Sequence, residues 1–209
     1  MKKLNLKGML NFRSFALVGI FTVAIVASSC NKADDVFYTE PVVENQDLKA
    51  GKAVKKSDMS IAEIAIEAGF DSLVVALSYV DAQEGTSLVD LFMNGTDQYT
   101  VFAPTNEAFA ALVGDGKISD LPSGLVLNVL LYHVTEGRRA ANSVVPKNNT
   151  RTIETLLEGA SFSVGTDAMI TAVGNTANFV VVDGKPLVNI SASNGIIHVI
   201  DTVILPITL

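Results

Sequence analysis

Apolar positions recur at helical spacing through the first half of the chain and in short strand-like runs through the second. The stretch around which both halves are arranged is residues 99–112. Tyr99, Thr100, Val101, Phe102 and Ala103 form an apolar run that Pro104 stops. Ala108, Phe109 and Leu112 then mark one face of a helix that Thr105 or Asn106 is placed to cap. Upstream, Ser60 and Glu63 have capping-box spacing ahead of the stripe Ile61, Ile64 and Ala65, with Gly69 as the stop. Asp71 is placed to cap a second helix carrying Leu73, Val74 and Leu77. A third runs over residues 88–93 to the turn Asn94-Gly95, and residues 123–131 predict another apolar helix.

From residue 153 the pattern becomes strand-like. Residues 153–157 and 160–164 flank Glu158-Gly159, a hairpin candidate, and residues 169–173 are apolar. Residues 179–182 and 187–190 flank Asp183-Gly184-Lys185-Pro186, where Asp-Gly accommodates positive φ. The last predicted strand, residues 196–200, is expected to continue through Asp201 to Pro206. Helices first and strands second predict an α+β fold. No long-period repeat is visible, so one copy of the domain is expected over residues 57–209.

The start of the chain reads differently. Lys2, Lys3, Lys7 and Arg13 precede an apolar run over residues 15–27, the layout of a secretory signal. Its 13 residues fall short of the roughly 20 that span a bilayer as a helix. Ala27-Ser28-Ser29-Cys30 resembles a bacterial lipobox, departing from it at Ala27, where a larger aliphatic residue is usual. The resemblance makes residues 1–29 a lipoprotein signal peptide and Cys30 the site of lipid attachment. Acylation by several chains would anchor the protein to a membrane, at about 0.8 kcal/mol per buried methylene. Lys32, Asp34 and Asp35 behind it resemble the surface-export signal of lipoproteins in the Bacteroides group. Residues 30–56 then read as an acylated N-terminus and tether, without sustained period. Export, anchoring to the outer membrane and outward display follow as expectations.

Composition narrows the chemistry. With 49% hydrophobic residues in 209, a packed core is expected. The single cysteine, Cys30, excludes an intrachain disulfide and a cysteine-based zinc cage. Net charge is −7, and removing residues 1–29, which carry four bases and no acid, leaves −11. That balance argues against nucleic acid, whose phosphates it would repel. The two histidines, His133 and His198, lack a ligand-spaced third residue. Even with Asp201 they read as structural, so no metal, cofactor or catalytic residue is expected. No Gly-x-Ser-x-Gly elbow accompanies them. Gly114-Asp115-Gly116 is read as a turn. Asp71-Ser72-Leu73 and Asp201-Thr202-Val203 resemble a short O-glycosylation pattern of the same bacterial group, although Asp71 is better explained as a cap.

Three blocks, TVFAPTNEAF (residues 100–109), LLYHVTEGR (130–138) and NGIIHVIDTVILP (194–206), resemble the signature boxes of the fasciclin-like family in order and spacing. The resemblance covers residues 57–206. It implies a β-wedge or sandwich of about seven strands with helices packed at one side, the first and third boxes being adjacent central strands. It also implies a non-catalytic extracellular adhesion or matrix-binding module with a protein or glycan partner. An accessory glycan- or small-ligand-binding lipoprotein of a nutrient-uptake system, and a hydrolase with an unrecognised site, are the alternatives. In animal members the Tyr-His region, here Tyr132-His133, is implicated in integrin binding. The sequence itself places both residues at the start of a strand, with one side chain facing the core. A buried His133 would need polar partners, and Thr100, Thr105, Asn106 and Asp201 are the candidates.

Overall fold

The computed structural model describes residues 57–207. The expectations for the signal peptide and tether, including Cys30, Lys32, Asp34 and Asp35, lie outside the described residues. Among those described, helices α1 (Ile61–Glu67), α2 (Asp71–Glu84) and α3 (Leu88–Asn94) precede strand β1 (Tyr99–Pro104). Helices α4 (Asn106–Val113) and α5 (Ser123–Tyr132), strand β2 (Val134–Glu136) and helix α6 (Ala141–Val144) follow. Eight more strands complete the domain: β3 (Arg151–Glu154), β4 (Ser161–Val164), β5 (Ile170–Thr171), β6 (Thr176–Ala177), β7 (Val181–Val182), β8 (Lys185–Pro186), β9 (Ile190–Ala192) and β10 (Gly195–Ile200).

The first sheet has the order β2-β1-β10-β9, and its central pair is parallel, Tyr99 opposite Gly195 and Pro104 opposite Ile200. The first and third signature boxes are therefore neighbours in the middle of the sheet. Both strands are buried on two faces, which explains why they read as continuous apolar runs without alternation. Period-2 geometry sends their side chains into two cores. Val101, Ala103 and Ile197 join Leu73, Leu77, Phe92, Val129 and Leu130 beneath the helices. Phe102 and Ile200 join Tyr132, Ile153, Phe162, Ile170 and Phe179 against the second sheet, an antiparallel meander in the order β3-β4-β5-β6. Gly195 is required by the close parallel pairing: a Cβ there would lie 2.2 Å from Tyr99 O and 2.6 Å from Ile61 Cδ1.

The α+β segregation holds, with α1 to α5 on one face of the first sheet and α6 placing Val144 in the core on the other. The expected seven strands are ten short ones among the described residues. Strand β6, with Ala177 as its one buried residue, offers no run to read. The 179–190 stretch divides into β7, β8 and the first residue of β9, with the Asp183-Gly184 turn at φ 51° and 76° as expected of the hairpin. Glu158-Gly159 lies in a six-residue connection between β3 and β4 and not in a tight turn. The expected run of strand to Pro206 stops at Ile200, because side chains and loop amides, not a sheet, take up the backbone groups beyond it.

The caps divide similarly. Ser60 and Glu63 form the capping box, and Thr105 caps α4 by accepting from Ala108 N–H. Asp71 does not cap α2: it is the first residue of that helix, following Phe70, which makes no side-chain cap bond. The capping is supplied from elsewhere in the chain. Asn106 Oδ1 accepts from Ser72 N–H at 3.0 Å, while its Nδ2 donates to Gly69 O at 2.8 Å. One side chain thus closes the end of α1 and the start of α2. Asn106→Ala is expected to cost about 1–2 kcal/mol in chemical denaturation, the size of a lost cap with a second hydrogen bond.

Candidate functional site

Tyr132 and His133 do not begin a strand. Tyr132 is the last residue of α5 and His133 its C-cap, at φ −84° and ψ −3°, so the two leave the helix toward different cores instead of alternating across a sheet. Both are buried, at 0% and 3% exposure, so neither ring is presented at the surface. The Tyr132 ring packs edge-on to Phe162 in the sheet-to-sheet core, and its hydroxyl donates to Ser161 O at 2.8 Å. His133 Nδ1–H donates to Val129 O at 2.7 Å, and Nε2 accepts from Ile204 N–H at 3.0 Å. None of Thr100, Thr105, Asn106 and Asp201 is its partner: the partners are backbone groups, which residue type does not disclose. The second signature box is nonetheless bound to the third.

His198, on β10, has the mirror arrangement. Its Nε2–H donates to Arg139 O at 2.9 Å and Nδ1 accepts from Asn189 N–H at 3.3 Å, with the ring against Phe102 and Phe179. Each ring therefore uses one nitrogen as donor and the other as acceptor, and each is fixed in a single neutral tautomer. Burial holds both histidines down to about 4 from an ordinary 6.5.

The remaining signature residues also clamp backbone. Buried Thr100 Oγ1 donates to Gly137 O at 2.7 Å and accepts from Arg139 N–H at 2.8 Å, tying β1 to the loop after β2. Asp201 accepts from Asn178 N–H (2.8 Å), Asn178 Nδ2 (3.1 Å) and Thr202 Oγ1 (2.9 Å). Desolvation raises its carboxyl, but those bonds together outweigh it and leave the group below its ordinary value. Thr100 and His198 thus hold the N–H and the C=O of the same residue, Arg139, while Asp201 acts apart from them on Asn178 and Thr202.

Other clamps escaped the sequence reading. Buried Asn194 Oδ1 accepts from Ile61 N–H at 2.8 Å and its Nδ2 donates to Phe92 O at 2.9 Å, fastening α1 and α3 to the sheet. Arg138 Nη1 donates to Ala192 O at 2.9 Å and to Gly195 O, reaching across the sheet from the end of β2. Both residues lie within the quoted boxes, which is the one signal that marked them. Asn175 and Asn189 lie outside the boxes, and a lone asparagine in a loop carries no pattern.

The open concavity lies elsewhere. A groove of about 690 Å³ runs between α6 and the segment after it, the β4–β5 turn and the β7–β8 hairpin. Phe179, Val145 and Val188 supply apolar lining, and Asn142, Asn178, Asp167 and Lys147 supply polar groups. Val181 at its edge is 59% exposed. A second open concavity of about 590 Å³ lies on the other side of the β4–β5 turn, lined by Asn149, Thr150, Thr166 and Asp167, and two cavities of about 50 and 90 Å³ among the helices are apolar. Among the described residues no group of three His, Cys, Asp or Glu side chains is positioned for a metal ion. No described helix is long and apolar enough to cross a membrane.

A central parallel pair built from the first and third boxes, locked by the second, defines a fasciclin-type domain. The chain belongs to the fasciclin domain family, whose pattern matches residues 74–206. It is 35% identical over 167 residues to Protein sll1483 of Synechocystis sp., covering 74% of this chain and 78% of that one. It is 31% identical over 198 residues to Immunogenic protein MPB70 of Mycobacterium bovis, covering 92% and 94%. The solved FAS1 domain pair of the insect cell adhesion molecule Fasciclin I aligns at TM-score 0.46 and 22% identity, over 65% of this chain and 45% of that one.

Proposed function

We propose that this protein is a lipid-anchored, cell-surface fasciclin module that binds a protein or matrix partner and carries no catalytic activity. The observation that carries this reading is the employment of the signature polar residues. His133, His198, Thr100, Asn106 and Asn194 all spend their hydrogen bonds on backbone groups of the same domain, and both histidines are buried. They serve as a frame, so recognition falls to the outer surface, where the groove beside the β7–β8 hairpin is the largest concavity described. A histidine with both nitrogens engaged in the core is also a poor general base, which weighs against the hydrolase alternative.

The second reading, a glycan or small-ligand binder, is favoured by the same groove. Its volume suits a small ligand, and amide, carboxylate and ammonium groups surround an apolar floor. The test is capture of partners from intact cells, host matrix and a glycan array by the full chain and by Val181→Glu/Val188→Glu. Adhesion through the groove predicts a loss of protein capture in the double variant that exceeds any fall in its folded fraction, Val188 being packed against the sheet-to-sheet core. Equal capture by both forms would move the contact surface elsewhere, and glycan capture alone would favour the second reading.

Anchoring is proposed to rest on Cys30, and display on Lys32, Asp34 and Asp35. Cys30→Ala is expected to shift the protein from the membrane fraction to the soluble fraction and to remove the acyl mass from the N-terminal peptide. Unchanged detergent partitioning would refute the anchor. Replacing Asp34 and Asp35 with alanine should keep the acyl mass but protect the domain from protease added to whole cells.

A further inference from the structure

Val203, Ile204 and Leu205 follow the last strand without joining a sheet, yet all three are buried. Ile204 enters the sheet-to-sheet core, while Val203 and Leu205 enter the core beneath the helices, where Leu205 walls the 90 Å³ cavity. This strap is held by a few polar contacts from other segments. Asn175 donates to Val203 O and accepts from Leu205 N–H, Gly174 N–H donates to Leu205 O, and His133 Nε2 accepts from Ile204 N–H.

We propose that the strap is an acid-released latch: protonation of His133 at Nε2 breaks its bond to Ile204 N–H and frees residues 203–205 while the central sheet stays paired. The proton, taken from solvent, occupies the lone pair that accepts the Ile204 amide, so two N–H groups then face one another. The Nδ1–H bond to Val129 O is unaffected, and the ring stays attached to α5.

Among the described residues no carboxylate is placed to offset the new charge. The ring faces an apolar lining that includes Leu73, Leu77, Leu88 and Phe92 of α2 and α3 and Ile61 and Ala65 of α1. Glu63, Glu67, Asp71, Glu84 and Asp90 stand on the exposed sides of those helices. Asp81 is bound to Thr86 and to the amides of Leu88 and Val89. Helix α5 and β1 carry no charged residue, Glu136 of β2 is exposed, and Asp201, at the start of the strap, is bound to Asn178 and Thr202. Within the closed strap the imidazolium therefore has neither a counter-ion nor an acceptor for its new proton, and opening supplies water. His198 does not make an equivalent latch, because its ring sits on a strand paired on both sides.

The test is amide hydrogen exchange of the full chain from pH 7 to pH 4.5, each rate divided by its intrinsic chemical rate. Opening at Ile204 and Leu205 is expected to rise about tenfold per pH unit below 6.5, as for release linked to one proton. Val101 and Ile197 in the central strands should remain more protected at each pH. In His133→Gln, whose carboxamide accepts a hydrogen bond without titrating, the rise at the strap should vanish. Equal protection of strap and central strands throughout, or an unchanged pH step in His133→Gln, would overturn the latch. If that variant does not fold, the ring ¹⁵N shifts of His133 in the parent chain decide: they must move with strap exchange, and opening while the ring is still neutral rejects the proposal.

Discussion

His133→Ala is expected to lower the unfolding free energy by about 4 kcal/mol and the melting temperature by about 12 °C. The free-energy figure sums two losses. Ile204 N–H, fully buried, loses its acceptor, at about 1–3 kcal/mol. A cavity opens where the ring packed, at a further cost of about 2 kcal/mol. The temperature figure follows from about 3 °C per kcal/mol for a domain of this size. Urea denaturation followed by circular dichroism measures the first and calorimetry the second. An unaltered melting temperature with loss of partner attachment would instead make this histidine a contact residue, as the Tyr-His resemblance suggests. His133→Gln should recover part of the loss, because it restores an acceptor and most of the volume.

Acidification is expected to produce an effect of similar or larger size in the parent chain. Both histidines are held at about 4 in the fold against 6.5 when free. As the pH falls below 6.5, the unfolded chain takes up two protons that the folded chain refuses. The stabilisation is therefore complete above about pH 6.5 and is lost as the pH falls toward 4. Each ring accounts for about 3 kcal/mol across that window, and the steepest slope is about 2.7 kcal/mol per pH unit for two protons. Below it Glu63, Glu107, Asp81 and Asp201, whose carboxyls lie under their ordinary values, add loss of the same sign. Denaturant midpoints between pH 7.5 and pH 4 measure the slope. Replacing one histidine with glutamine should halve it, and a flat profile from 7 to 5 would show that the rings titrate normally.

Apolar periodicity was enough to find α1 to α5 and most of the strands, because burying one stripe or one face is a local demand that each segment states for itself; the four-residue α6 is too short to show a period. The doubly buried β1 and β10 were legible for the same reason, as runs with no polar face. The capping box at Ser60 and Glu63 and the Asp183-Gly184 hairpin were legible because donor, acceptor and turn lie within four residues of one another. Only the tertiary structure decided what happens where a backbone group is satisfied by a distant residue. Asn106 caps a helix 34 positions earlier, so Asp71 looked like the cap and was not. Ile204 N–H is taken by His133, 71 positions away, so an apolar run that reads as strand continues as a strap. The histidine's partners are main-chain groups, identical at every residue, and no side-chain alphabet records which of them a fold will bring to a ring. The groove is likewise a property of packing: its walls come from α6, the β4–β5 turn and the β7–β8 hairpin, and none of these segments alone has a concavity to read.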